Sequence, residues 1–289
     1  MNTSLRPPPA PPRSSPHRSP QRSPRRSLLR RLYSRLYADY LMPSRLAEYE
    51  MLLVQADQAG YRQLSVRDFY RAVQRDDGGP ARVLVHRHDI DSDLRTARKM
   101  FDLEVRHGVR ASYYFRLSTL DIGFMREIEA AGSEASYHYE EVATYAKHHR
   151  LRRGAEVRER FPEIRAQFER NFMRISTELG LRMATVASHG DFANRRLKVI
   201  NHELLRDPEL RRRCGIECES YDSELLRHFD LYVSDRPYPV FYYPVSPFEA
   251  LGRHARICFL THPVQWETNW VENTRCNMLR LAEELVWHT

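Results

Sequence analysis

Residues 83–91, with the sequence Val-Leu-Val-His-Arg-His-Asp-Ile-Asp, constrain the fold more than any other stretch. Aliphatic residues that run into His, Arg and Asp are typical of a buried parallel strand with polar side chains at its carboxyl end, where α/β proteins place their chemistry. Because side chains alternate along a strand, Asp89 and Asp91 share a face, and adjacent carboxylates need a cation or a proton between them. The stretch predicts a metal ligand beside a general base or, less specifically, a turn in which Ser92 or Asp93 caps the next helix.

The rest of the chain repeats an order of strand, helix and Gly-containing turn. Strands are predicted at residues 61–64, 111–116, 134–138, 183–187, 231–234 and 256–260, and the main helices at residues 46–56, 66–74, 94–107, 122–131, 156–179 and 270–287. This order predicts a parallel β/α arrangement of the α/β class. Residues 194–229 are interpreted as an insertion, and residues 238–248, with three Pro and five aromatic residues, as a loop able to cover the site.

The positive charge of the chain is concentrated at its N-terminus. Residues 1–38 contain nine Arg and no Asp or Glu, whereas the remaining 251 residues carry 37 basic and 38 acidic side chains. A composition rich in Pro, Ser and Arg cannot bury enough apolar surface to offset the entropy of ordering. We therefore expect a disordered tail over residues 1–40, in which residues 28–40 can form a short basic amphipathic helix, and a catalytic domain over residues 41–289.

The charge distribution also bears on partners. The near-neutral body argues against nucleic-acid binding by the folded domain. The basic tail is compatible with an arm for nucleic acid or an anionic membrane, with a transit peptide, or with an inert segment. The sequence does not indicate an oligomeric state.

The cysteines and the hydropathy indicate a compartment. No stretch approaches the roughly eighteen apolar residues of a membrane-spanning helix. Cys214 and Cys218 have the spacing of half a zinc site, but Cys258 and Cys276 are too far apart in sequence to supply the other half. We expect reduced thiols, and the N-terminus lacks the apolar core of a secretory signal, so a cytoplasmic protein is predicted.

Nearly every predicted strand ends on side chains that can bind a metal or move a proton. After the first such strand these are His138 with Glu140 and Glu141, His189 with Asp191, Asp235, and His262. Parallel strands gather their carboxyl ends at one edge, so we expect these groups to lie together. His and carboxylate ligands suit a divalent ion with an open position for water, Zn²⁺ above all, with Co²⁺, Ni²⁺ or Mn²⁺ as alternatives.

The motif His88-Asp89-Ile90-Asp91 resembles the first motif of the polysaccharide deacetylases, the NodB-homology domains of carbohydrate esterase family 4. Residues 108–115 resemble the second strand of that family, residues 136–140 its metal-binding His motif, and residues 260–262, Leu-Thr-His, its closing Leu-x-His. The resemblance spans roughly residues 46–287 and is to a divergent branch with an Arg-His-Asp-x-Asp first motif. It implies a distorted, incomplete (β/α)7 barrel.

The resemblance implies a role for each matching residue. Asp89 would be the general base, Asp91 and His138 metal ligands, His262 the acid that protonates the leaving amine, and Asp235 the residue that orients it. Arg195 or Arg196 matches the family's base-orienting Arg only poorly. The implied activity is metal-dependent removal of an amide-linked acyl group, an N-acetyl group, from an amino sugar in bacterial surface-polysaccharide biosynthesis of the O-antigen or lipopolysaccharide kind.

One position departs from the family pattern. The second metal-binding His, expected four residues after His138, is Val142, which cannot bind a metal. A third ligand must therefore come from elsewhere. His189, at the end of its own strand, is preferred, with Glu140 or Glu141 as alternatives.

Two other functions are compatible with the sequence. His86-x-His88 at a strand end is also the opening signature of metal-dependent amidohydrolases, although that family leaves Asp89-x-Asp91 unexplained. A chain without a third metal ligand would instead be a non-catalytic, carbohydrate-binding relative. The aromatic residues of the loop at 238–248, with Trp266 and Trp270, suit either stacking on sugar rings or packing on the core.

Overall fold

The computed structural model describes residues 24–75 and 81–288. The strands are β1 Arg62–Leu64, β2 Val83–Ile90, β3 Ser112–Phe115, β4 Glu134–Tyr139, β5 Thr185–Ser188, β6 Cys218–Glu219, β7 Leu231–Asp235, β8 Tyr242–Tyr243 and β9 Arg256–Thr261. The helices are α1 Pro24–Leu36, α2 Leu46–Gln58, α3 Val66–Val73, α4 Leu94–Arg106, α5 Ile122–Ala130, α6 Glu141–His148, α7 Gly154–Glu159, α8 Phe161–Leu179, α9 Phe192–Leu197, α10 Pro208–Cys214, α11 Ser223–Leu226, α12 Pro247–Ala250 and α13 Trp270–His288. A π-helical turn, Tyr37–Leu41, follows α1, and short 3₁₀ turns lie at Leu117–Thr119, Asn201–Arg206 and Pro263–Gln265.

The nine strands of the described residues form one sheet in the order β6-β5-β4-β3-β2-β9-β7-β8, and β1 lies beside the first half of β2. The pairs are parallel except β7 with β8, which is antiparallel. The register Arg62↔Val83 and Arg87↔Ser112 shows that β1 and β3 share one edge of β2 in succession. The α/β class is confirmed, and the sheet is curled, as an incomplete barrel requires. The seven strands of the distorted, incomplete (β/α)7 barrel that the resemblance implies are not confirmed, since the described sheet has nine strands and one antiparallel pair.

The sheet curls around a small interior core. One buried cluster combines Val83 and Val85 of β2 with Tyr114 of β3, Ala187 of β5 and Cys258 of β9. Strands that are not neighbours in the sheet supply side chains to the same cluster, so their inner faces converge. The opposite face carries the helices, for example α2 and α4, whose Tyr49, Leu52, Leu53, Met100 and Leu103 pack with Leu84 and Phe259. None of the described helices combines the length and apolar character needed to cross a membrane.

The helix predicted over residues 156–179 is two helices. They meet at Arg160, and Pro162 lies in the first turn of α8, where the backbone N–H that proline lacks would have no helical partner. The fully buried residues of α8 are Ile164, Phe168, Phe172 and Ile175. Their spacing of three or four places them on one face, and Phe168 packs against Tyr137 and Tyr139 of β4. Full burial of one such side chain contributes about 1.5–3 kcal/mol.

Residues 28–40, where a short amphipathic helix was expected to be possible, lie in helical structure. Residues 1–23 lie outside the described residues, so the expectation for them stays a prediction. Residues 24–41, by contrast, form α1 and the following π-helical turn. Side-chain amides of α13 anchor this turn: Asn273 donates to the Asp39 carbonyl over 2.7 Å, and Asn277 donates to the Asp39 carboxylate over 2.8 Å.

Two segments without a regular sequence pattern also belong to the sheet. Residues 194–229, interpreted as an insertion, contain β6, which pairs with β5 through Thr185↔Cys218. Residues 238–248, interpreted as a loop, contain β8, which extends the sheet beside β7. Two-residue strands carry too little alternation to be read from sequence.

Candidate metal centre

The sequence-predicted site residues come from the carboxyl ends of five strands. Asp89 lies in β2 and Asp91 directly follows it, His138 lies in β4, and His189 follows β5. Asp235 ends β7, and His262 follows β9. Because these five strands are parallel, their carboxyl ends lie along one edge of the curled sheet, and the residues meet there although up to 173 positions separate them.

Asp91, His138 and His189 form a compact ligand set. One nitrogen or oxygen atom from each lies within 4.8 Å of the others. Asp91 Oδ1 is 3.2 Å from His138 Nε2 and 3.0 Å from His189 Nδ1, and the two imidazole nitrogens are 3.2 Å apart. Although burial opposes ionisation of Asp91, His189 and His138 hold the pKa of its carboxyl well below the ordinary value.

The hydrogen bonds around this set fit a cation. His138 Nδ1 lies 3.0 Å from the Ala187 carbonyl oxygen, which can only accept, so Nδ1 donates and Nε2 of the neutral ring carries a lone pair. Asp91 Oδ1 is buried and accepts no hydrogen bond from the described residues. With His189 Nδ1 deprotonated as well, lone pairs of Asp91 Oδ1, His138 Nε2 and His189 Nδ1 would face one another, and a positive ion between them would stabilise this arrangement. Two His and one carboxylate are also a common Zn²⁺ ligand set that leaves a position open for water.

Asp89 lies beside this set and is fixed by Arg87. Arg87 Nε and Nη2 donate to the two Asp89 oxygens over 2.9 and 2.8 Å, and both side chains are almost fully buried. Burial favours the neutral carboxylic acid, but Arg87 outweighs this effect and lowers the pKa of Asp89. Asp89 Oδ2 is 3.5 Å from His138 Nε2, so the ionised carboxylate faces the ligand set.

The arginine that binds the Asp89 carboxylate is therefore Arg87, whereas Arg195 and Arg196, which the resemblance matched only poorly to such a residue, lie on α9. Sequence reasoning missed Arg87. A signal was present, since residues two apart on a strand share a face and Arg87 precedes Asp89 by two. Arg87 also donates to the Tyr232 hydroxyl over 3.1 Å, and its guanidinium carbon stacks on Tyr221, 4.3 Å from the ring centroid.

His262 and Asp235 form a second polar pair on the other side of Asp91. Asp235 Oδ1 accepts from His262 Nδ1 over 2.7 Å, and Oδ2 accepts from the His262 backbone N–H and from Trp266 Nε1. Burial opposes protonation of the ring, yet Asp235, with Asp91 and Asp89, raises the pKa of His262 to about 9. His262 Nε2 points into the site, 4.0 Å from Asp91 Oδ2.

The alternative ligands lie elsewhere. Glu140 binds Arg116 through two hydrogen bonds of 3.1 and 2.6 Å. Glu141 is buried and accepts from Tyr137 and Asn171. The structure thus brings His189, and neither glutamate, to Asp91 and His138. Val142 is fully buried in the hydrophobic core.

His86 and His88 point away from this site. They occupy the opposite face of β2 from Asp89, where His88 contacts Glu104 at 2.7 Å and Thr261 at 2.5 Å. His86 contacts Gln63 at 2.9 Å. Burial lowers the pKa of His86 to about 4, so this ring is neutral at neutral pH. The amidohydrolase reading, which needs His86 and His88 in the metal site, is not supported by this arrangement.

The two tryptophans that suit either stacking on sugar rings or packing on the core have different environments. Trp266 is fully buried against Tyr49 and Phe259 and is closed to any ligand. Trp270, at the start of α13, is 66% exposed. A cavity of about 410 Å³ opens beside Asp91 and His189, and Arg116, Arg195 and Phe192 also line it.

A second group of metal-ligating residues, His202, Glu219 and Asp222, is saturated by other partners. Glu219 accepts from the backbone N–H groups of Ser188 and Tyr221 and contacts His202 at 2.7 Å. Asp222 accepts two hydrogen bonds of 2.6 Å from Arg211. These carboxylates are fully used in holding the polypeptide together.

The fold and the site define an α/β protein with a His-His-Asp candidate metal centre at the carboxyl edge of a curled sheet. No protein family and no curated protein matches the sequence. Among solved structures, the chain is similar to "Streptococcus pyogenes deacetylase PplD in complex with acetate", with a TM-score of 0.40 and 13% identity, over 58% of this chain and 69% of that chain. Similarity at this level does not by itself establish a shared activity.

Proposed function

We propose that this protein is a divalent-metal-dependent hydrolase that removes an amide-linked acyl group, an N-acetyl group, from an amino sugar. The observation that carries the proposal is the convergence of Asp91, His138 and His189 between two proton-transfer groups. Asp89 Oδ2 is 3.5 Å from His138 Nε2 of this set, and His262 Nε2 is 4.0 Å from Asp91 Oδ2. Amide hydrolysis needs this combination of an electrophilic centre, a base and an acid.

Each of these groups has a separate role in the proposed reaction. Asp91, His138 and His189 would hold a divalent ion, which would supply Lewis-acid chemistry, namely a lower pKa for water and polarisation of an amide carbonyl. Asp89, kept ionised by Arg87, accepts the proton of the attacking water. His262, held with its Nδ1–H on Asp235, presents Nε2 to the site and donates a proton to the departing amine nitrogen. Addition of water across the C–N bond gives a carboxylic acid and a free amine.

The finer parts of the proposal rest on the family resemblance. Amino sugars are the substrate class that the resemblance implies, within bacterial surface-polysaccharide biosynthesis of the O-antigen or lipopolysaccharide kind. The donor set suits Zn²⁺ first, and Co²⁺, Ni²⁺ or Mn²⁺ after it. We place the reaction in the cytoplasm, because Cys214, Cys218, Cys258 and Cys276 are all unpaired thiols, as in proteins of reducing compartments.

The test is release of free amine from a panel of N-acetylated amino sugars by purified protein with added Zn²⁺, Co²⁺ or Ni²⁺. We expect turnover that Asp91→Asn and His138→Gln abolish. His86→Gln is the matched control, because it removes a histidine of the same strand that faces away from the site. Bound metal without turnover on any amide would favour a non-catalytic carbohydrate-binding protein, and loss of metal on His86→Gln alone would favour the amidohydrolase.

A further inference from the structure

A large cavity adjoins the candidate metal centre. It has a volume of about 1080 Å³ and lies between α1, α13 and the segment at residues 237–239. Three of its lining residues, Ser92, Cys276 and Arg280, also line the smaller cavity beside Asp91 and His189. Since Ser92 directly follows the ligand Asp91, a molecule whose acyl group reaches the metal centre can extend into this larger cavity.

The lining of the larger cavity is strongly basic. It includes Arg30, Arg31, Arg35 and Arg280 but only one carboxylate, Asp39. Asp39 is already engaged, since it accepts from Asn277 over 2.8 Å and lies 3.6 Å from Arg35. The cavity therefore presents an excess of positive charge to whatever enters it.

Two of these guanidinium groups have no partner among the described side chains. The guanidinium groups of Arg30 and Arg31 make no hydrogen bond or ion pair with the described side chains of residues 29–75, 81–285 and 287, whereas Arg35 donates to Asn277 over 2.6 Å and Arg280 contacts Glu284 at 3.3 Å. On the pocket around the metal centre, Arg195 of α9 is likewise without a partner among these residues. Elsewhere on this surface most arginines are paired with a carboxylate, so unpaired ones that share a cavity mark a place for an external anion.

We infer that this cavity binds a phosphate or diphosphate group carried by the substrate, so that the protein acts on an amino sugar linked to phosphate rather than on a neutral glycan. This inference rests on the proposed function. Guanidinium groups bind phosphate oxygens through paired, charge-assisted hydrogen bonds, whereas the hydroxyl and amide oxygens of a neutral sugar carry no charge to balance several arginines. Ser34 and Gln265 add neutral hydrogen-bonding groups to the same lining.

Such a diphosphate can come from a nucleotide sugar or from a lipid-linked sugar. The two helices that border the cavity expose apolar side chains, among them Leu29 at 66%, Met278 at 67% and Leu281 at 60%. A lipid chain or a membrane surface could cover such side chains, whereas a nucleotide would leave them in water. The phosphate chemistry is common to both sources, and the experiment separates them.

The experiment compares one N-acetylated amino sugar in four forms: the free sugar, its 1-phosphate, its uridine diphosphate ester, and its polyprenyl diphosphate ester in phosphatidylcholine vesicles. Binding and kcat/KM are measured for the full-length, metal-loaded protein. The variant Arg30→Gln/Arg31→Gln is compared with Arg62→Gln/Arg170→Gln, which removes the same charge from two exposed arginines that do not line the cavity.

We expect the cavity variant to bind the phosphorylated forms about tenfold or more weakly and to leave binding of the free sugar unchanged. The control variant should match the wild type for all forms. Preference for the uridine diphosphate ester would identify a nucleotide sugar, and preference for the vesicle-bound ester a lipid-linked one. Equal weakening by both variants, or equal binding of free and phosphorylated sugar by the wild type, would overturn the inference.

The outcome is separable from that of the proposed function. Arginine-dependent binding of sugar phosphates without release of amine would support the phosphate site and refute the hydrolase. If the protein hydrolyses the free sugar as fast as its phosphorylated forms, and the Arg30 and Arg31 variant has the same rate, the hydrolase is supported and the phosphate site is refuted.

Discussion

Replacement of Arg87 by Met tests how the base is held. The side chains of Arg87 and Asp89 are 1% and 3% exposed, and they form two parallel hydrogen bonds of 2.9 and 2.8 Å. Arg87→Met keeps most of the side-chain volume but leaves the Asp89 carboxylate buried without its main partner. Loss of one member of a buried ion pair typically destabilises a protein by about 3–5 kcal/mol. We expect the free energy of unfolding to fall by that amount.

The double variant Arg87→Met/Asp89→Asn isolates the ion pair from the other contacts of Arg87. Both variants lose the hydrogen bond to Tyr232 and the stacking on Tyr221, so these losses cancel in the comparison. Because no buried charge is left unpaired, the double variant should recover about 2 kcal/mol or more relative to Arg87→Met.

The assay is urea denaturation at neutral pH in the presence of a chelator, so that bound metal does not compensate the unpaired carboxylate. Activity with metal restored should be lost in both variants, since one mispositions the base and the other removes it. If Arg87→Met costs less than about 1 kcal/mol, or if the double variant is no more stable than the single one, Arg87 does not hold an ionised Asp89 in the manner described.

Three further outcomes are expected. His189→Ala should weaken Zn²⁺ binding by more than about 100-fold, because loss of an outer hydrogen-bond partner already costs about 10–100-fold in affinity. Glu141→Gln should leave the Zn²⁺ affinity unchanged, and both affinities are measured by competition with a chromophoric chelator. Equal affinities of the two variants would remove His189 from the ligand set. Asp235→Asn should lower kcat by about 100-fold or more with unchanged metal content, because His262 loses the acceptor that orients it, and unchanged kcat would refute that role. The pKa of His86 falls from 6.5 to about 4 on folding. Between about pH 4 and pH 6.5, His86 is therefore protonated in the unfolded chain and neutral in the folded protein. Unfolding free energy of the wild type should therefore drop by up to about 3 kcal/mol more than that of His86→Gln as pH falls from 6.5 to 4, and parallel profiles would contradict this.

The strand ends were predictable from sequence because the signal there is local. Residues 83–91 combine an apolar run with polar residues at a period of two, and the strands that end at His138, His189 and His262 show the same change from apolar to polar. The parallel topology then predicts that these residues lie close together, since parallel strands bring their carboxyl ends to one edge of the sheet. The choice of His189 over Glu140 and Glu141 followed from the same reasoning, and the geometry of the site agrees with it.

What could not be predicted depends on contacts between distant segments. β6 is two residues long and exists because Cys218 pairs beside Thr185, a relation that no local pattern encodes. The sequence allowed a short helix at residues 28–40, but it gave no sign of the contacts of Asp39 with Asn273 and Asn277, which lie more than 230 positions away. Trp266 looked available for stacking because sequence does not reveal burial.

The most direct test of the account is the position of a bound ion. Crystals grown with Zn²⁺ should be measured at the zinc absorption edge. The account predicts one strong anomalous peak about 2.0–2.2 Å from an oxygen of Asp91 and from nitrogens of His138 and His189. A strongest peak at His202, Glu219 and Asp222, or one that contacts neither Asp91 nor His138, would contradict it.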